Sequence, residues 1–429
     1  MKMVKKNITL FLSLFYSLTT ISCFLISGLF TINLVTIYFI VFFISITLII
    51  NGKNFFINVL LCMSTFNFIF ISFEIILRIY FSNLVFYRPL DRLHEKSPTQ
   101  KNVSKFIKNK SVSQWTYGDL SAKGISFNKS HESRKVLFQT DQYGFRNSKN
   151  SLKNNFDLVL AGDSFVTGAG TDQNDIFSSL LENKSLKVYN LGVPGNIYDS
   201  YSHLYYNIDR LKNKDKTTLC LFFFSGNDLD TDYIFRELDY FSYSKILVNK
   251  IKNFRKKSIL LRLTYRFNNK KVDNNVIERK IKSHYLSFYK KYELSQYYNI
   301  LKKDQISNTK EKSLKGLFSS INKIDSLSEL SFKDFFIFYI PTKYEVYEKY
   351  ITGVDPQGKD ILVKDLLFDF TKKKNIKFYD LTPDFILESD KLLDSNKFSF
   401  WKDDTHINQY GHKIISDIVF KKIVNIQDF

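Results

Sequence analysis

Leu158-Val159-Leu160-Ala161-Gly162-Asp163-Ser164-Phe165 is the stretch on which the reading of this chain turns. Four apolar residues run straight into Gly-Asp-Ser. A short apolar run bounded by turn residues reads as a strand buried on both faces. In an open parallel sheet, ligands bind beyond the carboxyl ends of the strands, and Ser164 falls at such an end. Gly162 permits a tight turn, so the Ser164 hydroxyl is presented at the start of a helix or loop. A serine there also serves as an ordinary helix N-cap, so the triplet alone settles nothing.

Outward from this stretch the same rhythm repeats. Residues 157–161, 187–190, 218–224, 334–340 and 376–379 read as buried strands. Segments near 175–183, 199–213, 359–373 and 410–424 read as helices. Strands alternating with helices predict an α/β fold, a parallel sheet covered on both faces as a three-layer sandwich. Residues 236–330 interrupt the rhythm. They are Lys- and Tyr-rich and read as a mostly helical insertion, amphipathic around 246–263. That spacing suits any packed surface helix, and also a basic element touching a membrane surface or a substrate chain.

Three further motifs come after strands or before the last helix. Asn190-Leu191-Gly192-Val193-Pro194-Gly195-Asn196 offers Gly195, whose bare backbone N–H can approach an oxyanion. Ser225-Gly226-Asn227-Asp228 comes after the very apolar strand near 219–224, and the Asn227 amide can donate to developing negative charge. Each is otherwise an ordinary turn. Asp403-Asp404-Thr405-His406 places one of only six histidines beside two carboxylates. A histidine acting as base for a serine needs a carboxylate on its far nitrogen. Asp403 and Asp404 can both reach it, and the choice stays open. The competing reading of His406 is a surface histidine in a polar loop. His412 has no acid at matching spacing and reads as structural.

The order of these pieces resembles the SGNH hydrolase superfamily, the GDSL-like esterases. Gly162-Asp163-Ser164, Gly195, Gly226-Asn227-Asp228 and Asp403/His406 look like its four sequence blocks. The resemblance covers about residues 139–425 of a domain expected over 139–429, with the insertion near 236–330 unmatched. It implies a flavodoxin-like sandwich, a nucleophile at Ser164 and a base at His406. It also implies oxyanion donors from the Ser164 backbone, Gly195 and Asn227, with no metal or organic cofactor. The family's commoner Asp-x-x-His spacing favours Asp403, whereas the Asp-x-His of some acetyl-transferring relatives favours Asp404. Ser225 stands where the family usually has glycine.

The N-terminal part has a different texture. Residues 8–50 contain no Asp, Glu, Lys or Arg, too long a run for one spanning helix of about 20 residues. It reads as two helices, near 8–28 and 33–50, with a third over 55–77. Residues 1–81 are therefore expected to form a membrane module of three transmembrane helices. Lys2, Lys5, Lys6 and Lys53 flank the spans and belong in the cytoplasm. The catalytic domain then lies on the extracytoplasmic side, periplasmic or outer. A cleaved signal peptide fits less well, because the apolar run is too long. Residues 82–138, polar and irregular, read as a juxtamembrane linker that packs in part on the next domain.

Composition sets the remaining bounds. The formal charge is +20 over 429 residues, yet Lys is spread through the soluble part, and no module signature for nucleic acid accompanies it. Anionic lipid or acidic polysaccharide suits the charge better. Cys23, Cys62 and Cys220 give neither a disulfide framework nor zinc spacing. The expected substrate is an acylated carbohydrate or a lipid ester, with membrane lipid as neighbour. The leading expectation is an O-acyl esterase acting on an envelope glycan. The alternatives are an O-acyltransferase for a cell-surface polysaccharide, working with a membrane acyltransferase partner, and a non-catalytic glycan-binding or assembly protein.

Overall fold

The computed structural model describes residues 88–97, 103–123, 129–148, 155–224, 226, 276–289, 308–352 and 363–427, together with Ser72, Ile76, Leu77 and Tyr80. The three expected spans fall almost wholly outside these residues. Among the described residues, no helix is long and apolar enough to cross a membrane. The chain divides into two compact units, Met1–Val85 with Ser242–Lys270, and Phe86–Phe241 with Lys271–Phe429. Every described strand belongs to the second unit.

In chain order, this second unit starts with α1 (Pro89–Leu93), β1 (His94–Lys96), β2 (Ser104–Phe106), β3 (Ser111–Thr116), α2 (Asp119–Lys123) and β4 (Arg134–Gln139). Then come β5 (Leu158–Ala161), α3 (Ser164–Thr167), α4 (Phe177–Glu182), β6 (Val188–Asn190), α5 (Ile197–Leu211) and β7 (Asn213–Phe224). After β8 (Val276–Ile281) and β9 (His284–Tyr289) lie α6 (Asn308–Ser331), β10 (Phe332–Ile340), α7 (Lys343–Thr352) and α8 (Val363–Lys374). The chain closes with β11 (Lys377–Asp380), α9 (Thr382–Asp394) and α10 (Gln409–Gln427).

Five strands form one sheet in the order β11-β10-β7-β5-β6, and every pair in it is parallel. Read from β6, the order is 2-1-3-4-5, that of a doubly wound sheet whose switch point lies between its first and third strands, here β5 and β7. The pleat sends alternate residues to opposite faces. Leu219, Leu221 and Phe223 of β7 join one core, with Ile197 and Leu204 of α5, Leu317, Ile321 and Ile324 of α6, and Leu367 of α8. Cys220, Phe222 and Phe224 join the other, with Phe177 of α4, Tyr347 of α7, Phe385 of α9, and Ile415 and Val419 of α10. Both faces are covered, as expected from strands with no polar alternation. At roughly 1.5–3 kcal/mol for each buried Leu or Phe, β7 anchors the sheet.

Two regions depart from expectation. The segment read as an irregular linker carries two antiparallel pairs, β1 with β2 and β3 with β4. Phe106, Val136 and Phe138 are buried there, so much of 82–138 is folded into the domain. The insertion read as mostly helical includes the hairpin β8–β9. Lys282 at its tip adopts φ 50°, a turn conformation that ends any helix. Within that insertion α6 is a helix, and the stretch around 246–263 lies outside the described residues.

Candidate active site

Ser164 sits where β5 ends at the switch point. Gly162 makes the turn with φ 155°, and a Cβ there would lie 2.4 Å from Val166 Cγ2 and 2.9 Å from the Phe222 carbonyl oxygen. Asp163 caps α3, its Oδ1 accepting the Phe165 N–H at 2.8 Å. The triplet therefore divides its work: the cap is Asp163, and the Ser164 hydroxyl is left for other partners. As the first helical residue, Ser164 also has a backbone N–H with no intrahelical acceptor.

The hydroxyl meets His406. Ser164 Oγ lies 2.8 Å from His406 Nε2, and His406 Nδ1 lies 2.6 Å from Asp404 Oδ1. A ring nitrogen facing a carboxylate carries the proton, so Nδ1–H donates to Asp404 and Nε2 accepts from the serine. Ser164 and His406 are each under 10% exposed, at 9% and 7%. The Phe165 ring packs on the imidazole with centroids 5.0 Å apart.

The paired aspartates have separate tasks. Asp404 Oδ2 accepts from Arg134 Nη2 at 3.2 Å and from the Asp119 N–H at 3.3 Å, and Arg88 Nη1 lies 3.8 Å away. Burial by itself would raise the Asp404 carboxyl. The His406 imidazole and its hydrogen bond, with Arg88 and Arg134, outweigh burial and hold it well below the usual carboxylate range. Asp403 faces away from the imidazole. Its Oδ2 accepts from the Gly118 N–H at 2.9 Å, Ser121 Oγ at 2.8 Å and the Glu132 N–H at 3.2 Å. Its Oδ1 accepts from Arg134 Nη1 at 3.1 Å. Of the two acids that the sequence leaves open, Asp404 is the one that meets His406, because both oxygens of Asp403 are taken by the segment 118–134.

Gly195 lies in the loop after β6, where Leu191 N–H donates to the Leu160 carbonyl and Val193 N–H to that of Gly162. This ties the loop to the end of β5. A Cβ on Gly195 would lie 2.3 Å from Asp199 Oδ2, so a side chain there would displace Asp199. Asn196 and Asp199 form a capping box at the start of α5. Asn227 lies outside the described residues; Gly226 beside it is described and buried. His412 is fully buried, its Nδ1 accepting the Phe177 N–H at 3.3 Å. Burial, then Arg146 and His406, depress its basicity strongly, in keeping with a structural role.

Several residues of this corner carried no signal in the sequence. Arg88, Asp119 and Arg134 come from the segment read as linker. Asp119 Oδ1 accepts the Thr405 N–H at 3.2 Å. Lys343, buried, donates from Nζ to the carbonyls of Ser287, Trp401, Lys402 and Asp404 at 2.7–3.1 Å. One ammonium thus fixes the backbone of the acid loop. Arg146, equally buried, donates to the carbonyls of Thr167, Gly168, Leu137 and Thr171. Burial pulls its guanidinium down to about 9, against the opposing pull of Asp172. It grips the chain just after the serine helix.

Asp119, Asp404 and His406 also bring ligand atoms within 4.8 Å of one another. A cation there would compete for the same Nδ1 that donates to Asp404, so hydrogen bonding and metal ligation exclude each other at this histidine. Chemically, the arrangement can remove a proton from the Ser164 hydroxyl and hold the resulting imidazolium against an ionised carboxylate.

No protein-family model matches the chain, and no curated protein matches it. Among solved structures, the chain is similar to an acetyl xylan esterase at 13% identity and TM-score 0.31, over 62% of this chain and 98% of that one. A likeness of this size carries no information about substrate.

Proposed function

We propose that the chain is a serine esterase of SGNH type that removes O-acyl groups from an envelope glycan on the extracytoplasmic side. The observation that carries the reaction class is the continuous relay Ser164 Oγ–His406 Nε2 and His406 Nδ1–Asp404 Oδ1, at 2.8 Å and 2.6 Å. The side of the membrane is supported by the cytoplasmic-type flanks Lys2, Lys5, Lys6 and Lys53 around the apolar runs. The glycan substrate is supported by the motif resemblance.

His406 takes the hydroxyl proton as Ser164 Oγ attacks the ester carbonyl. The oxyanion is received by the Ser164 and Gly195 N–H groups and the Asn227 amide. The tetrahedral adduct collapses, His406 returns its proton to the leaving sugar oxygen, and an acyl-serine remains. Water, deprotonated by the same imidazole, attacks the acyl-serine and frees the acid. Asp404 stays ionised throughout and stabilises the imidazolium.

A second reading has one specific support. The orienting acid and base are Asp404-Thr405-His406, the Asp-x-His spacing of some acetyl-transferring relatives. In that reading a sugar hydroxyl replaces water as acceptor, and a membrane acyltransferase partner supplies the acyl group.

The test uses the full chain in detergent with 4-nitrophenyl acetate, wild type beside Ser164→Ala. Turnover that falls to background in the variant is expected. A variant that turns over at the wild-type rate would remove the serine mechanism. Adding an oligosaccharide acceptor separates the two readings: acetyl-oligosaccharide exceeding free acetate supports transfer, and acetate alone supports hydrolysis.

A further inference from the structure

Arg134 is the first residue of β4, 270 positions before Asp404 in the chain. Its planar guanidinium is used at every edge. Nη1 donates to Asp403 Oδ1 at 3.1 Å and to the Glu132 carbonyl at 3.0 Å. Nη2 donates to Asp404 Oδ2 at 3.2 Å, and Nε to the Gly170 carbonyl at 3.0 Å. The group lies 3.9 Å from the centre of the Trp401 ring, which fixes its plane. Arg134 is 8% exposed, and both aspartates are fully buried.

Two adjacent buried carboxylates repel each other, and one of them protonates unless a cation intervenes. A fork that takes one oxygen from each removes that conflict. It also decides which oxygens remain. Asp403 is left with Oδ2, already filled by Gly118, Ser121 and Glu132. Asp404 is left with Oδ1, which meets His406. Lysine has a single point of charge and cannot make this division.

We infer that Arg134 is a positioning residue for the reaction: its guanidinium, forked between Asp403 Oδ1 and Asp404 Oδ2, holds Asp404 in the orientation that faces His406. The inference rests on the Ser164–His406–Asp404 relay proposed above. Beyond that relay, the choice between the two aspartates is made by a residue distant in sequence, on a strand of the segment that precedes the sheet.

The experiment compares full-chain Arg134→Met and Arg134→Lys with wild type, alone and in an Asp404→Asn background, on 4-nitrophenyl acetate. Arg134→Met is expected to lower kcat by about 10–100-fold, the usual cost of losing a residue that orients a catalytic ligand. KM should stay within about twofold, because ground-state binding is not touched. In the Asp404→Asn background the same substitution should change kcat by less than about threefold, because its effect passes through that carboxylate. A merely structural role would cost as much in both backgrounds. A second readout needs no substrate: the low-field proton resonance of the His406 Nδ1–H donating to Asp404. It should be present in wild type, absent in Asp404→Asn, and shifted upfield or broadened in Arg134→Met.

If Arg134→Met does not fold by circular dichroism, Arg134→Lys decides, with about tenfold lower kcat expected at an unchanged melting temperature. The inference is overturned by a folded variant with kcat within about threefold of wild type, by an equal loss in both backgrounds, or by an unaltered low-field proton. Its failure is distinct from failure of the serine mechanism. In the first case Ser164→Ala is dead while the Arg134 variants are normal; in the second, Ser164→Ala itself turns over.

Discussion

The turn at 158–164 and the segment 88–134 both shape the same corner, by opposite means. At the turn the cap and the closest approach are local: Asp163 caps two residues ahead, and Gly162 clears Val166 four residues on. The segment 88–134 instead works at a distance. Gly118 and Asp119 donate N–H groups to Asp403 and Asp404 across 285 residues. Local geometry presents the Ser164 hydroxyl; remote contacts choose which carboxylate meets His406. The turn is the part of the site that a sequence displays, and the remote segment is the part that it conceals.

The sharpest way to break this comparison is to remove each aspartate in turn. Asp404→Asn should lower kcat by about 10⁴-fold, the loss seen when a triad acid no longer fixes its histidine. Asp403→Asn should cost about 10–100-fold, since it acts through Arg134 and the segment it organises. Steady-state kinetics on one ester decides it. Equal losses, or the larger loss at Asp403, would contradict the division of roles.

A smaller effect probes the remote segment alone. A Cβ at Gly118 would lie 1.9 Å from the Asp403 carbonyl oxygen and 2.5 Å from its Oδ1. The first is backbone and the second belongs to a buried side chain held by Arg134, so the segment must shift. Gly118→Ala should destabilise the domain by about 1–3 kcal/mol in urea unfolding, with a fall in kcat. Unchanged stability and rate would show that 118–134 merely lies beside the loop.

An effect on stability alone concerns the Gly195 side. Burial raises the Asp199 carboxyl to about 6 from an ordinary 3.8, with the Asn196 N–H and Lys96 pulling the other way. The folded state then binds a proton more tightly than the unfolded one. Its contribution is present below about pH 4 and is lost as pH rises through about 6. Asp199→Asn, whose amide oxygen can still accept the Asn196 N–H, should flatten stability between these values. The difference near neutrality should be on the order of 1–3 kcal/mol in favour of the variant. Urea midpoints at both ends of the range read it, and parallel curves would refute it.

What the sequence displays divides along the same line. The apolar runs behind β5, β7 and β10 are legible because both faces of those strands are buried, so nothing polar interrupts them. Ser164 and His406 are legible because each sits in a short motif at an element end. The preference for Asp404 over Asp403 is not, because either reaches His406 on a loop and the decision is made by Gly118, Ser121 and Arg134. The hairpin β8–β9 is hidden for a different reason. In Val276–Ile281 only the two end residues are buried, so the period of two that marks a strand is missing. Lys343 and Arg146 are hidden because their partners are backbone carbonyls, which any sequence supplies.

The central claim, that Ser164 is a nucleophile activated through His406 and Asp404, is tested most directly by covalent labelling. The full chain is treated with a fluorophosphonate and the adduct located by peptide mass spectrometry, beside His406→Ala. One rapid adduct is expected, on the peptide carrying Ser164, and it should fail to form in the variant. An adduct on another residue, or labelling of Ser164 at the same rate without His406, would contradict the claim.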